Sequence, residues 1–164
     1  MIRTCTAILV LLSALAGAAE SGRPVALPGS AMSVTAPAGW TAQVDASGGA
    51  LVLTGPASRL SLISAAPLVG EDLDAAARRC RDDLSRLLPD FAEVASDATL
   101  LGGQSWRVLT YRFAIAQRTV EQRQYLARIG GELVVATLDG DPVAKPVVEA
   151  VLTALGSRPP RLAP

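Results

Sequence analysis

"SWRVLTYRFAIAQRTVEQRQYLARIGGELVVATLDG", residues 105–140, decides the fold. Arg107, Leu109, Tyr111, Phe113 and Ile115 fall on one side of an alternating run, and Trp106, Val108, Thr110 and Arg112 take the other. Strict alternation over so many residues is the signature of a long β-strand. A more polar run follows over 118–129, with Glu121, Gln122, Arg123 and Gln124 in succession, and it turns at Gly130 and Gly131 into 132–138. Paired glycines at 102–103 and 130–131 suit hairpin turns that need positive φ. With the run over 93–101, the segment predicts an antiparallel meander with one face covered and one partly wet.

Upstream, shorter β signals come at Met32, Val34 and Ala36, then over 40–44, 50–54 and 60–65, separated by Pro- and Gly-bearing turns. The period changes at Glu71. Leu73, Ala76, Ala77, Cys80, Leu84, Leu87 and Leu88 recur every three or four residues, with Asp74, Arg78, Arg81, Asp82 and Ser85 on the other side. This is an amphipathic helix that starts acidic and stops before Pro89. A second helix carries Val147, Val148, Val151, Leu152 and Leu155, with Pro146 in its first turn and Gly156 as its stop. The expectation is an α+β fold: an antiparallel β-meander sheet packed against two amphipathic helices.

The first 19 residues read as a cleaved secretory signal: Arg3, an apolar stretch from Ala7 to Ala16, then Gly17, Ala18 and Ala19, with cleavage after Ala18 or Ala19. That stretch is shorter than the roughly 20 residues needed to cross a bilayer, so no stable membrane insertion is expected. Cys5 precedes it, which does not suit a lipid anchor. Residues 20–30 read as a linker, 31–156 as one domain and 157–164 as a flexible tail. The expected location is periplasmic or secreted.

Composition narrows the chemistry. Half of the residues are hydrophobic and the 15 basic residues match the 15 acidic ones. Without a basic tract, nucleic acid is not an expected partner, since that affinity comes mostly from neutralising phosphates. Histidine is absent. A Ser-His-acid triad is therefore impossible, and tetrahedral zinc is hard to assemble with Cys80 as the single cysteine after the leader. No serine stands three residues before Lys145, the only lysine, so a serine-lysine pair is not indicated either. Cys80 lies on the apolar stripe and reads as a small buried hydrophobe. Asp139 and Asp141 could offer carboxylates to calcium, but a loop cation needs about 6–8 oxygens and the same residues make an ordinary turn and helix cap. No cofactor and no metal are expected.

The strand leading to "APAGW" (36–40), the "LTGP" hairpin (53–56), the single amphipathic helix, the long meander and the terminal "VVEAVLTAL" helix (147–155) together resemble the PsbP-like fold, including its bacterial periplasmic DcrB-like relatives. The resemblance runs from Met32 to Leu155. It implies a non-enzymatic accessory or adaptor domain, used in different members to assemble photosynthetic complexes, bind a partner protein or chaperone transmembrane segments. No catalytic residue is shared by the family, so none is carried over. The histidine-based metal sites of the photosynthetic members have no counterpart here.

The expected function is binding a protein partner of the cell envelope, or a secreted one. If the Leu109 side of the meander packs on the helices, Trp106 faces outward, and with Arg112 and Arg123 it forms the candidate docking surface; the alternative is a curved sheet that buries both Trp40 and Trp106. Aromatic and arginine side chains are the usual anchors of such surfaces. Two alternatives are a carrier of a small apolar or lipid-like ligand between sheet and helix, and a carboxylate-dependent enzyme, for which no acidic pair in a cleft is visible.

Overall fold

The computed structural model describes residues 22–156; the leader expected over 1–19 and the tail expected over 157–164 lie outside the described residues. Seven strands form one sheet: β3 (Thr41–Val44), β4 (Leu51–Thr54), β5 (Ser58–Ala65), β6 (Ala92–Leu101), β7 (Gln104–Ile115), β8 (Arg118–Ile129) and β9 (Glu132–Gly140). Their order is β3-β4-β5-β9-β8-β7-β6, and every neighbouring pair is antiparallel. The meander β6 to β9 forms as expected. Its last strand then pairs with β5, from Ser58 opposite Gly140 to Ala65 opposite Leu133.

A separate ribbon corrects the expected domain start. Residues 24–26, read as part of a linker, form β1 (Pro24–Ala26), which pairs with β2 (Ser33–Thr35). The Leu27 N–H donates to the Met32 carbonyl at 2.9 Å, Gly29 takes φ +71°, and Leu27 is 1% exposed. The Pro, Gly and Ser that suggest a linker instead close a tight hairpin, and its apolar residue joins the core.

Helix α1 (Leu73–Leu87) starts at Asp72, whose carboxylate accepts from the Ala75 N–H at 2.7 Å; such a cap stabilises a helix by about 1 kcal/mol. Its buried stripe is Ala76, Cys80, Asp83 and Leu84. Leu87, expected on that stripe, is 56% exposed, whereas Leu88, where the chain leaves helical geometry (φ −99°, ψ 125°), packs against the Leu84 cluster. Helix α2 (Lys145–Gly156) follows a single 3-10 turn over Pro142–Ala144 and buries Val148, Val151, Leu152 and Leu155.

The helices lie on opposite faces of the sheet. Ala76 and Cys80 of α1 pack on Leu126, Leu133 and Val135, while Leu84 packs on Leu109, Tyr111 and Phe113. Burying one leucine of this kind contributes roughly 1.5–3 kcal/mol. The other face, with Trp106, Tyr125, Ala127, Val134, Ala136 and Leu138, is covered by α2 and the β1–β2 ribbon, through residues such as Leu152, Leu155, Leu27 and Val34. Strands apolar on both sides need a cover on both sides.

In the meander, turn chemistry follows the glycines at two of its three hairpins. Gly102, Gly103, Gly130 and Gly131 all have positive φ, but the β7–β8 hairpin turns on Ala116 (φ 46°) and Gln117 (φ 65°). Trp40 is 6% exposed and lies flat against Gly55, where a Cβ would stand 2.5 Å from the ring. The two short motifs of the family resemblance, "APAGW" and "LTGP", therefore meet in one contact.

Candidate functional site

Strand register places Trp106, Arg112 and Arg123 on one face of the sheet, the face covered by α2. Trp106 stands opposite Ala127, Thr110 opposite Arg123, and Arg112 opposite Glu121. Trp106, however, is 0% exposed, within the core that α2 seals, and its indole N–H donates to the Leu101 carbonyl at 3.4 Å. Of the two orientations open to Trp106, the buried one is found, and it is no part of a docking surface. The outward orientation required both helices on the Leu109 side, whereas only α1 packs there.

The two arginines remain at the surface, further along the strands. Six residues separate Trp106 from Arg112, roughly 20 Å at about 3.3 Å per residue, so these side chains cannot form one compact anchor. Arg112 is exposed and donates through Nε to Glu121 at 2.8 Å. Arg123 is half-buried and donates through Nε to the Thr110 hydroxyl at 3.2 Å. It also lies beside the Tyr125 phenol, whose proton is held more tightly than usual because burial outweighs the opposing pull of Arg123. The result is a polar strip of two arginines fixed by Glu121 and Thr110.

Beside this strip runs β6, an edge strand. Ala92 of β6 pairs with Arg112, and the register slips between Glu93 and Ala95, a β-bulge at Val94. None of its ten residues is buried, and Val94 (47%) and Leu100 (71%) expose apolar side chains. Nothing in the alternation of residues 93–101 marks the strand as an edge; only the pairing order does.

A second feature escaped the sequence reading. A cavity of about 220 Å³ lies between α1 and the β6–β7 pair, lined by Asp74, Ala77, Arg78, Arg81, Ser96, Arg107, Val108, Leu109 and Leu126. Arg107 donates to Asp74 at 2.5 Å, and Arg81 donates through Nε and Nη2 to Asp82 at 3.0 and 2.8 Å. In sequence, Arg78 and Arg81 read as the wet side of a helix and Arg107 as one residue of an alternating strand. Their convergence is a product of packing.

The carboxylates weighed for calcium take separate tasks. Asp141 caps the 3-10 turn, accepting from the Val143 N–H at 2.9 Å, while Asp139 sits in β9 between Arg59 and Gln122. Among the described residues no group of three or more acidic or cysteine side chains is placed to hold a metal. No described helix is long and apolar enough to cross a membrane.

Sheet, helices and edge together define an α+β domain, with an antiparallel seven-stranded sheet and two helices. Among solved structures, PA94, a Pseudomonas aeruginosa protein of unknown function, is 19% identical, with 65% of this chain and 78% of that one covered and a TM-score of 0.54. The cyanobacterial PsbP of Synechocystis sp. PCC 6803 is 18% identical over 76% of this chain and 83% of its own, with a TM-score of 0.49. LpqN, involved in cell envelope biogenesis of Mycobacterium tuberculosis, is 18% identical over 83% and 87%, also at 0.49. Likeness at these identities concerns the fold alone. No protein-family model matches the chain. No curated protein matches it.

Proposed function

We propose that this chain is an exported, non-enzymatic accessory domain that binds a protein partner in the cell envelope. The observation that carries this reading is β6: a ten-residue edge strand with no buried residue and two exposed apolar side chains. One edge of its backbone has no neighbouring strand in the sheet. Such an edge is a template for an added strand, and proteins that do not use it blunt it. The bulge at Val94 and the charge of Asp97 limit indiscriminate pairing without closing the edge. The partner is an extended segment laid along β6, with Arg112 and Arg123 at its end offering hydrogen-bond donors. Trp106 takes no part, being sealed beneath α2. The absence of histidine agrees with a role that moves no protons.

Photo-crosslinking residues placed at Val94 or Leu100 in cells should yield one discrete adduct, absent when the probe is at Val44 on the opposite edge strand, β3. Arg112→Glu should reduce its yield. Equal patterns from both edges, or no adduct at all, would refute the proposal.

The carrier reading draws on a different observation. An apolar groove of about 450 Å³ lies between β2 and α2, lined by Thr35, Pro37, Pro146, Val147, Ala150, Val151 and Ala154. Mass spectrometry of the gently purified protein should then show a retained molecule, and a clean apo species would dismiss this reading.

A further inference from the structure

We propose that the cavity between α1 and the β6–β7 pair is a binding site for a small organic anion, one acid group on a compact apolar body. Three guanidinium groups line it, Arg78 and Arg81 from one face of α1 and Arg107 from β7, against a single lining carboxylate, Asp74. The chain as a whole carries no net charge, so this concentration of positive charge is local.

The pairing pattern leaves donors for a ligand. Asp74 stands four residues before Arg78, the spacing of a helical ion pair, yet it bonds to Arg107 instead. Arg78 is left with no ion-pair or hydrogen-bond partner among the described residues. Arg107 uses its Nε on Asp74, and Arg81 uses Nε and Nη2 on Asp82, with Glu93 a further 4.0 Å from its Nε. Each guanidinium carries five donors, so most remain free. The two paired arginines are held in place by these bonds, and the ligand need not order them.

The floor sets the rest of the specificity. Leu109, Leu126 and Ala77 offer apolar contact, and the Ser96 side adds a hydroxyl at the β6 rim. At about 220 Å³ the space is below the roughly 300–1,000 Å³ of sites for drug-sized ligands, which limits the occupant to about one ring with one acid group. A carboxylate and a phosphate can each present two oxygens to the guanidinium fork, so an aryl carboxylate and an aryl phosphate share the required chemistry.

The test titrates the purified protein with benzoate, phenyl phosphate, inorganic phosphate and the neutral benzyl alcohol, following backbone amides by NMR at physiological salt. Benzoate or phenyl phosphate should give saturable shifts at Ala77, Ser96, Arg107 and Leu109, and the stronger of the two identifies the acid group. Benzyl alcohol and inorganic phosphate, each lacking half of the match, should bind about tenfold more weakly or not at all. Arg78→Gln, at an exposed position that leaves the core intact, should weaken the aryl acid about tenfold, and Arg78→Lys less. Ala77→Leu should fill the floor and remove binding, with an unchanged urea-unfolding midpoint reporting an intact core. No saturable shift at these amides, equal binding of the neutral alcohol, or unchanged affinity in Arg78→Gln would overturn the proposal.

Discussion

At Gly55 the absence of a side chain is what lets Trp40 close the first core. A methyl group there would meet the ring's Cε2, Cζ2 and Cδ2 atoms at 2.5–2.8 Å, so Gly55→Ala must push the indole or the β4–β5 turn aside. The expected cost is about 1–3 kcal/mol, read as a lower midpoint in urea unfolding together with an altered native tryptophan emission. A variant as stable as the parent, with its emission unchanged, would show that the contact is loose. In the sequence, Gly55 and Trp40 are visible as turn punctuation, but nothing reveals that each explains the other. The same limit applied to Trp106. Its alternation with Val108 was plain, but whether that side is wet depends on which helix lies above it.

Helix α1 was legible almost to its ends, since its period, its acidic start and Pro89 are local signals. Less legible was how it is pinned to the sheet. The Glu71 carboxylate, 7% exposed, accepts from Arg79 Nε at 2.8 Å and Nη2 at 3.0 Å, and the Glu71 carbonyl accepts from Arg128. Arg79's hydrogen bonds hold the Glu71 carboxyl below its ordinary value of 4.5, against the opposing push of burial. A carboxyl lowered in the folded state stabilises the fold above its unfolded value, and that contribution is lost as pH falls through the folded one. Urea midpoints should therefore decline as pH drops below about 4.5. Glu71→Gln should cost about 1–3 kcal/mol at pH 7 and flatten that decline. Some slope should persist, because hydrogen bonds from Ser47, Ala50 and Gly49 hold Asp45 low even though burial pushes it up. An acid limb as steep in the variant as in the parent would remove Glu71 from the account.

In the whole molecule, β7, β8 and β9 are paired on both edges and packed on both faces, whereas β6 is open along one edge. Amide hydrogen exchange should be slowest in the centre of β7, β8 and β9 and fast along β6 and the β1–β2 ribbon, and addition of a bound partner should slow β6 selectively. Protection of β6 equal to that of β9 in the free protein would contradict an open edge. The sequence by itself determined most of the element types, the approximate helix ends, most of the glycine turns and the exclusion of histidine chemistry, because each depends on residues close together along the chain. Only the tertiary structure decided which strand became the edge, that the helices lie on opposite faces, and that Arg78, Arg81 and Arg107 share one cavity. Those outcomes depend on β5 pairing with β9, some seventy residues away in the chain. Strands that are apolar on both sides carry no local sign of which cover each face will receive.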